Sequence, residues 1–303
     1  MSDSITTTAP ERSSLWIKFR DLDRRIIYLF VLISLAIPIG LGVTLPPAEM
    51  ESATELYNVI ENLEAKPGSI VLLSSDWGPG TQAENKPQTE IIIEHLMRRR
   101  IPFAIMSLYA LATPFLESVP TEVAAKLERE FPGQTWDYGK DWVNLGFRAG
   151  SYITIQGLAK SDNFIAYLKS DARGNPLDEL PAFDGVENIE DVSLLIETTG
   201  LSGVFNYWLQ FFQTSDYIPR FIYGCTSITI PEAHIYLASG QIAGLHEGLA
   251  GAAWHETLLN KDYPDRARGN ALKNNTGIAF AQIVIIVFIL LGNLGHFLSR
   301  GKE

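Results

Sequence analysis

The sequence predicts an α/β protein: a three-layer central domain with a mostly parallel sheet, flanked by two transmembrane helices. Three observations carry this. Short continuous apolar runs such as SIVLLSS (Ser69–Ser75) have the character of strands buried on both faces. They alternate with segments of helical periodicity, the order that builds a parallel sheet between helices. A charge-free apolar stretch near each end of the chain matches the roughly 20 residues a helix needs to cross a bilayer.

The first stretch, IIYLFVLISLAIPIGLGVTL, covers residues 26–45. Pro38 and Gly40 would disrupt a soluble helix but are tolerated in a spanning one. No A-x-A cleavage site follows, which argues for a retained anchor. The second, GIAFAQIVIIVFILLGNLGHFL, covers residues 277–298, with Asn293 and His296 near its end. Arg12, Lys18, Arg20, Arg24 and Arg25 precede the first span, and the sequence after it is acidic. The positive-inside rule then places both termini (residues 1–25 and 299–303) in the cytoplasm and the domain outside it.

The domain, residues 46–260, opens with the helical ATELYNVIENLE (Ala53–Glu64), which Pro67-Gly68 ends. SIVLLSS is the first strand, and DWGPGTQAEN a loop. KPQTEIIIEHLMRRR is a helix with Pro87 in its first turn and arginines at its end. IPFAIMSL (Ile101–Leu108) completes a β–α–β unit. TEVAAKLEREF reads as helix and KSDARGNPLDELPAFDGVEN as an inserted loop. DVSLLIETTG (Asp191–Gly200) is a strand, SGVFNYWLQFFQTS a helix and PRFIYGCTSI a strand. YLASGQIAGLHEGLAGAAWHETLL is expected to form one long final helix, with residues 261–276 a polar linker to the second span.

Composition narrows the function. The formal net charge is −11 with no long basic run, which gives nucleic-acid binding little electrostatic support. Cys225 is the single cysteine, so an intrachain disulfide and a multi-cysteine zinc site are excluded. The segments DWGPGTQAENKPQ, KDWVNLGF and GQIAGLHEGLAGAAWHE resemble signatures of a group of uncharacterised prokaryotic two-span membrane proteins with a Rossmann-like domain. The resemblance covers most of the middle region and implies no catalytic residue. A Rossmann-like outline implies no function by itself.

Candidate ligand-binding residues come from the strand ends. In an open α/β sheet, ligands bind beyond the carboxyl ends of the strands. Ser75, Asp76 and Thr81 follow the first strand, and Glu197 and Thr198 end a later one. If the strands are neighbours, these residues share one polar cleft, with Lys140, Asp141 and Arg148 as further lining. The loop lacks both G-x-G-x-x-G and G-x-x-x-x-G-K-[ST]. Thr81 and Glu84 equally suit a helix cap.

His246-Glu247 and His255-Glu256 raise the question of a metal. On one helix, residues nine apart project from opposite sides, so no shared metal site is expected, and no cofactor is implied. On that same helix Gly240, Gly244, Gly248 and Gly251 form a stripe, with His255 following, which suggests close packing against a neighbour. Trp208 and Phe212 share a face with Phe205 and are expected in packing or an interface.

Taken together, the residues fit a membrane-anchored α/β binding or assembly module, a subunit of a homo- or hetero-oligomeric membrane complex. The rivals are a membrane-tethered hydrolase using Asp76 and Glu197, and a receptor for a small polar ligand.

Overall fold

The computed structural model describes residues 22–64 and 66–299. The cationic residues Arg12, Lys18 and Arg20, which enter the orientation argument, lie outside them, as do Arg300 and Lys302. The described residues divide into two units, one within Leu45–Asn275 and a smaller one formed by residues 22–44 and 276–299.

In the smaller unit, α1 (Arg24–Leu41) starts at Asp23, whose carboxylate accepts from Arg25 N, and stops at Gly42 in the left-handed region (φ +66°). The last helix, α10 (Asn270–Ser299), is its partner. Both are long and apolar enough to cross a membrane. They meet where Gly277 leaves no room for a side chain: a Cβ there would lie 2.9 Å from Ile39. Phe30 and Phe288 pack edge to face at 5.7 Å between ring centres. Within the larger unit, α10 begins seven residues before the apolar stretch read from sequence.

The larger unit is built on a six-stranded, all-parallel sheet in the order β3-β2-β1-β4-β5-β6. Its strands are β1 (Ile70–Asp76), β2 (Phe103–Ser107), β3 (Trp142–Phe147), β4 (Val192–Thr199), β5 (Phe221–Cys225) and β6 (Leu245–Glu247). The order reverses between β1 and β4, so the ends of these two strands face the crevice that parallel sheets open for ligands. Successive strand residues point to opposite faces, and each face has its own apolar core. Val71, Leu73, Ile105 and Ile196 pack under α2 (Glu51–Glu61), α3 (Gln82–Arg98) and α4 (Thr113–Glu130). Leu72, Met106, Leu195 and Tyr223 pack under α5 (Tyr152–Ala159), α6 (Phe164–Leu168), α7 (Val204–Phe211) and α8 (Ile230–Ala238). α9 (Gly248–Asp262) lies against α2 and α3.

Several sequence expectations need correction. KDWVNLGF supplies β3, an edge strand that the sequence reading did not assign. α3 starts at Gln82, so Pro87 lies inside it and not at its first turn. Thr81 holds the N-cap position without a capping bond, and the Glu84 carboxylate accepts from Ser227 N and Oγ instead. The expected final helix is three elements: α8, then β6, then α9. Gly240 (φ +75°) ends α8, and Gly248 (φ +58°) turns the chain from β6 into α9. A single helical stripe of glycines therefore does not exist.

Candidate functional site

The predicted residues at the strand ends do reach neighbouring positions. Asp76 closes β1, and its register partner on β4 is Thr199; Ser74 pairs with Glu197. Strand alternation then divides the set. Asp76 and Glu197 project with Ser74 toward α7, whereas Ser75 and Thr198 project toward α3. No single polar cleft gathers them.

On the α3 side, Thr198 Oγ1 lies 2.9 Å from Thr89 Oγ1. Thr89 Oγ1 donates to Asn85 O and accepts from Trp77 Nε1 at 3.0 Å. Asn85 Nδ2 donates to Thr199 O at 3.0 Å, tying α3 over the end of β4. Ser75 and Trp77 are buried here. Thr81 Oγ1 fills the space above Gly200, where a Cβ would come within 2.0 Å of it. The crevice is thus closed by the protein's own side chains.

On the α7 side, Asp76 is fully buried and well bonded. Its Oδ1 accepts from Ser107 Oγ at 2.8 Å and from Leu108 N, and its Oδ2 from Ser74 Oγ. Burial raises its pKa, and these bonds with the nearby Trp208 N–H offset part of the rise. Trp208 Nε1 itself makes no hydrogen bond. Glu197 is also fully buried, and neither carboxyl oxygen has a partner. Burial first, and then the charge of Asp76, push its pKa well above the usual carboxylate range. Trp208 and Phe212 cover this face as core residues. Lys140 and Asp141 precede β3 and lie at the opposite, amino end of the sheet, where Asp141 accepts from Asp137 N. The Arg148 guanidinium is spent on the carbonyls of Leu145, Leu168 and Ser170. Cys225 is buried, and that burial pushes its thiol up to about 11, an inert state.

The second cluster is one the sequence reading did not anticipate. Because Gly248 reverses the chain, His246 on β6 and His255 on α9 face each other, with His246 Nε2 and His255 Nδ1 2.9 Å apart. His255 Nε2 lies 2.9 Å from His95 Nδ1 on α3, and His95 Nε2 lies 2.9 Å from Glu61 Oε2 on α2. All three rings are fully buried, whereas the Glu61 side chain is 32% exposed. Tyr57 stacks on His95 and meets His255 edge-on. Desolvation lowers the pKa of each imidazole, that of His246 to about 3. His246 Nδ1, at the inner end, has no partner.

The glycines make this possible. A Cβ on Gly244 would sit 2.4 Å from the Leu56 Cα, and one on Gly251 2.8 Å from the His246 Cα. One on Gly248 would meet Ser227 Oγ at 2.6 Å. Each glycine admits a different neighbour: the α2 backbone, the β6 backbone and the segment after β5.

The two glutamates following the histidines do separate work. Glu247 accepts from Ser52 Oγ at 2.6 Å. Glu256 accepts from Gly269 N at 2.6 Å and Leu272 N at 2.8 Å, which caps the start of α10. Arg266 joins Glu256 to Glu94 at 3.4 and 2.7 Å. Among the described residues no group of three or more His, Cys, Asp or Glu side chains is arranged to hold a metal. Compared with family models, with curated proteins and with solved structures, the chain matches none.

Proposed function

We propose that this protein is a membrane-anchored, Rossmann-like binding module that assembles with a partner through the carboxyl edge of its sheet. One observation carries the reading: several loops leaving that edge carry exposed apolar side chains. Leu111 follows β2, Phe147 ends β3, Tyr152 and Ile153 open the helix after it, and Ile228 follows β5, all at least 40% exposed. Tyr152 extends the patch onto Phe211 at 5.1 Å. Soluble surfaces rarely gather such residues without something to cover them. The strand order, with its reversal between β1 and β4, supports the Rossmann-like assignment. The two apolar helices supply the anchor, with the termini cytoplasmic and the domain outside.

The test is purification of the full chain in mild detergent, with the mass of the particle measured. The expected result is a discrete complex that Ile153→Glu and Ile228→Glu dissociate while the fold is retained. A monomeric wild type, or complexes indifferent to both substitutions, would refute the assembly role.

Glu197 favours a second reading. A buried carboxyl with both oxygens unpartnered, close to a bonded Asp76, is the arrangement an acid–base or polar-ligand site uses. The closed crevice counts against an open hydrolase site in this conformation.

A further inference from the structure

The four-member chain Glu61–His95–His255–His246 has a direction that its geometry dictates. Glu61 at its outer end is an acceptor when ionised, and hydrogen bonding to His95 favours the ionised form. His95 must then carry its proton on Nε2, leaving Nδ1 as an acceptor. His255 must donate to that acceptor from Nε2, and its Nδ1 in turn accepts from His246 Nε2–H. One carboxylate thereby sets the tautomer of three neutral rings. What remains is a bare lone pair on His246 Nδ1, buried and without a donor.

The surroundings of that lone pair are also unusual. His246 is the register partner of Gly224 on β5. Gln88 Oε1, another buried acceptor without a donor, would lie 2.5 Å from a Cβ on Gly224. The Gln88 amide cannot be turned to relieve this, because its Nε2 donates to Cys225 O. Two unpartnered acceptors thus flank the same position of the β5–β6 pair. A group placed there has to be a hydrogen-bond donor.

We propose that these four residues form a reversible proton-transfer chain, which takes a proton from an O–H or N–H group at the β5–β6 end and discharges one at Glu61. The transfer balances with that O–H or N–H group as its one reactant, which is left as its conjugate base. A proton binds His246 Nδ1, and the Nε2–H of His246 passes to His255 Nδ1. The Nε2–H of His255 passes to His95 Nδ1, and the Nε2–H of His95 passes to Glu61 Oε2. Every ring is neutral before and after, with its proton moved from Nε2 to Nδ1. Every contact along the chain remains a hydrogen bond, and the reverse transfer restores the starting tautomers. In the second state the Nδ1–H of His246 is a donor, the role that Gln88 Oε1 lacks a partner for.

The charges around the chain suit this. From α2 come Glu61 and the Tyr57 ring, whose hydroxyl is bonded to Asp262. From α3 come Glu94 and Arg99, the latter 3.8 Å from Glu61. From α9 and the segment after it come Glu256 and Arg266, and Arg266 pairs with both Glu256 and Glu94. Burial first opposes a standing imidazolium on both rings; at His255 the neighbouring imidazoles and Arg266 add to it, while at His95 Arg99 adds to it and Glu61 and Glu94 work against it.

The experiment uses the full chain in detergent micelles with ¹⁵N-labelled histidine, reading each ring's tautomer from two-bond ¹⁵N–¹H correlations. At neutral pH His95, His255 and His246 should all be Nε2–H. On acidification the three rings should move together to neutral Nδ1–H, at one midpoint. Glu61→Gln keeps an acceptor at the partly exposed outer end but cannot take up the proton. In that variant the joint neutral switch should vanish, in His246 as well as in His95, with the protein still folded. Rings that become imidazolium one by one would overturn the proposal. So would rings that keep Nε2–H throughout, or a His246 that responds identically in Glu61→Gln.

Discussion

His246 and His255 stand nine residues apart in the chain, and their facing ring nitrogens are 2.9 Å apart. A continuous helix would have pointed them away from each other. The contact exists because Gly248 adopts a left-handed φ of +58° and folds α9 back beside β6.

The close approaches that permit this fold are testable at Gly244. A Cβ there meets backbone atoms of Leu56, which cannot rotate away as a side chain would. Gly244→Ala should therefore cost about 1–3 kcal/mol by overpacking, through a shift of α2. Gly80→Ala, in open space, serves as the control and should leave stability within about 0.5 kcal/mol. Chemical denaturation of the detergent-solubilised protein measures both.

Glu94 anchors a buried ion cluster. Burial alone would raise its pKa, but Arg266, at 2.7 Å, and Lys126, at 2.8 Å, hold it at about 2. A carboxylate with a depressed folded pKa contributes stability above its unfolded value. That contribution is lost as pH falls from about 4.5 toward 2. Glu94→Gln should destabilise the protein by about 3–5 kcal/mol at pH 7, because it leaves Arg266 and Arg98 short of a buried counter-charge. The deficit relative to wild type should shrink below pH 4.

Glu197 has the opposite sign. Its folded pKa is raised, so the folded state holds a proton the unfolded state has released. Stability from this group is present at low pH and declines as pH rises above the ordinary carboxylate range, by up to about 1.4 kcal/mol per pH unit. Glu197→Gln should thus gain on the wild type as pH rises above the ordinary carboxylate range in thermal denaturation. Equal slopes for the two proteins would mean that Glu197 is ionised in the fold. If the site is catalytic, Asp76→Asn should abolish activity with the fold retained; if it is structural, replacing the Oδ2 acceptor of Ser74 Oγ by an NH2 group should lower stability instead.

The orientation in the membrane is open to a direct check. Protease added to intact spheroplasts should digest the 46–260 region, because five cationic residues precede the first span. Digestion only after lysis would reverse the topology.

Local pattern was enough to expose the frame of this protein. Continuous apolar runs mark β1, β2, β4 and β5 because strands buried on both faces have no polar side to hide. The two apolar helices are legible for a similar reason: each contains a long apolar stretch with few charges. The edge strand β6 has only three residues, two of them His246 and Glu247, so its pattern does not separate it from the helix that follows. The site divides in the same way. That Asp76 ends a central strand follows from the order of elements, and its neighbour Thr199 from β1–β4 pairing. That Glu197 is sealed without a partner depends on how α7 lies over the sheet, which no spacing encodes. The imidazole chain draws its members from α2, α3, β6 and α9, across separations of up to 160 residues. Only a backbone conformation at Gly248 and a contact at Gly244 bring them together, and both are properties of packing in three dimensions.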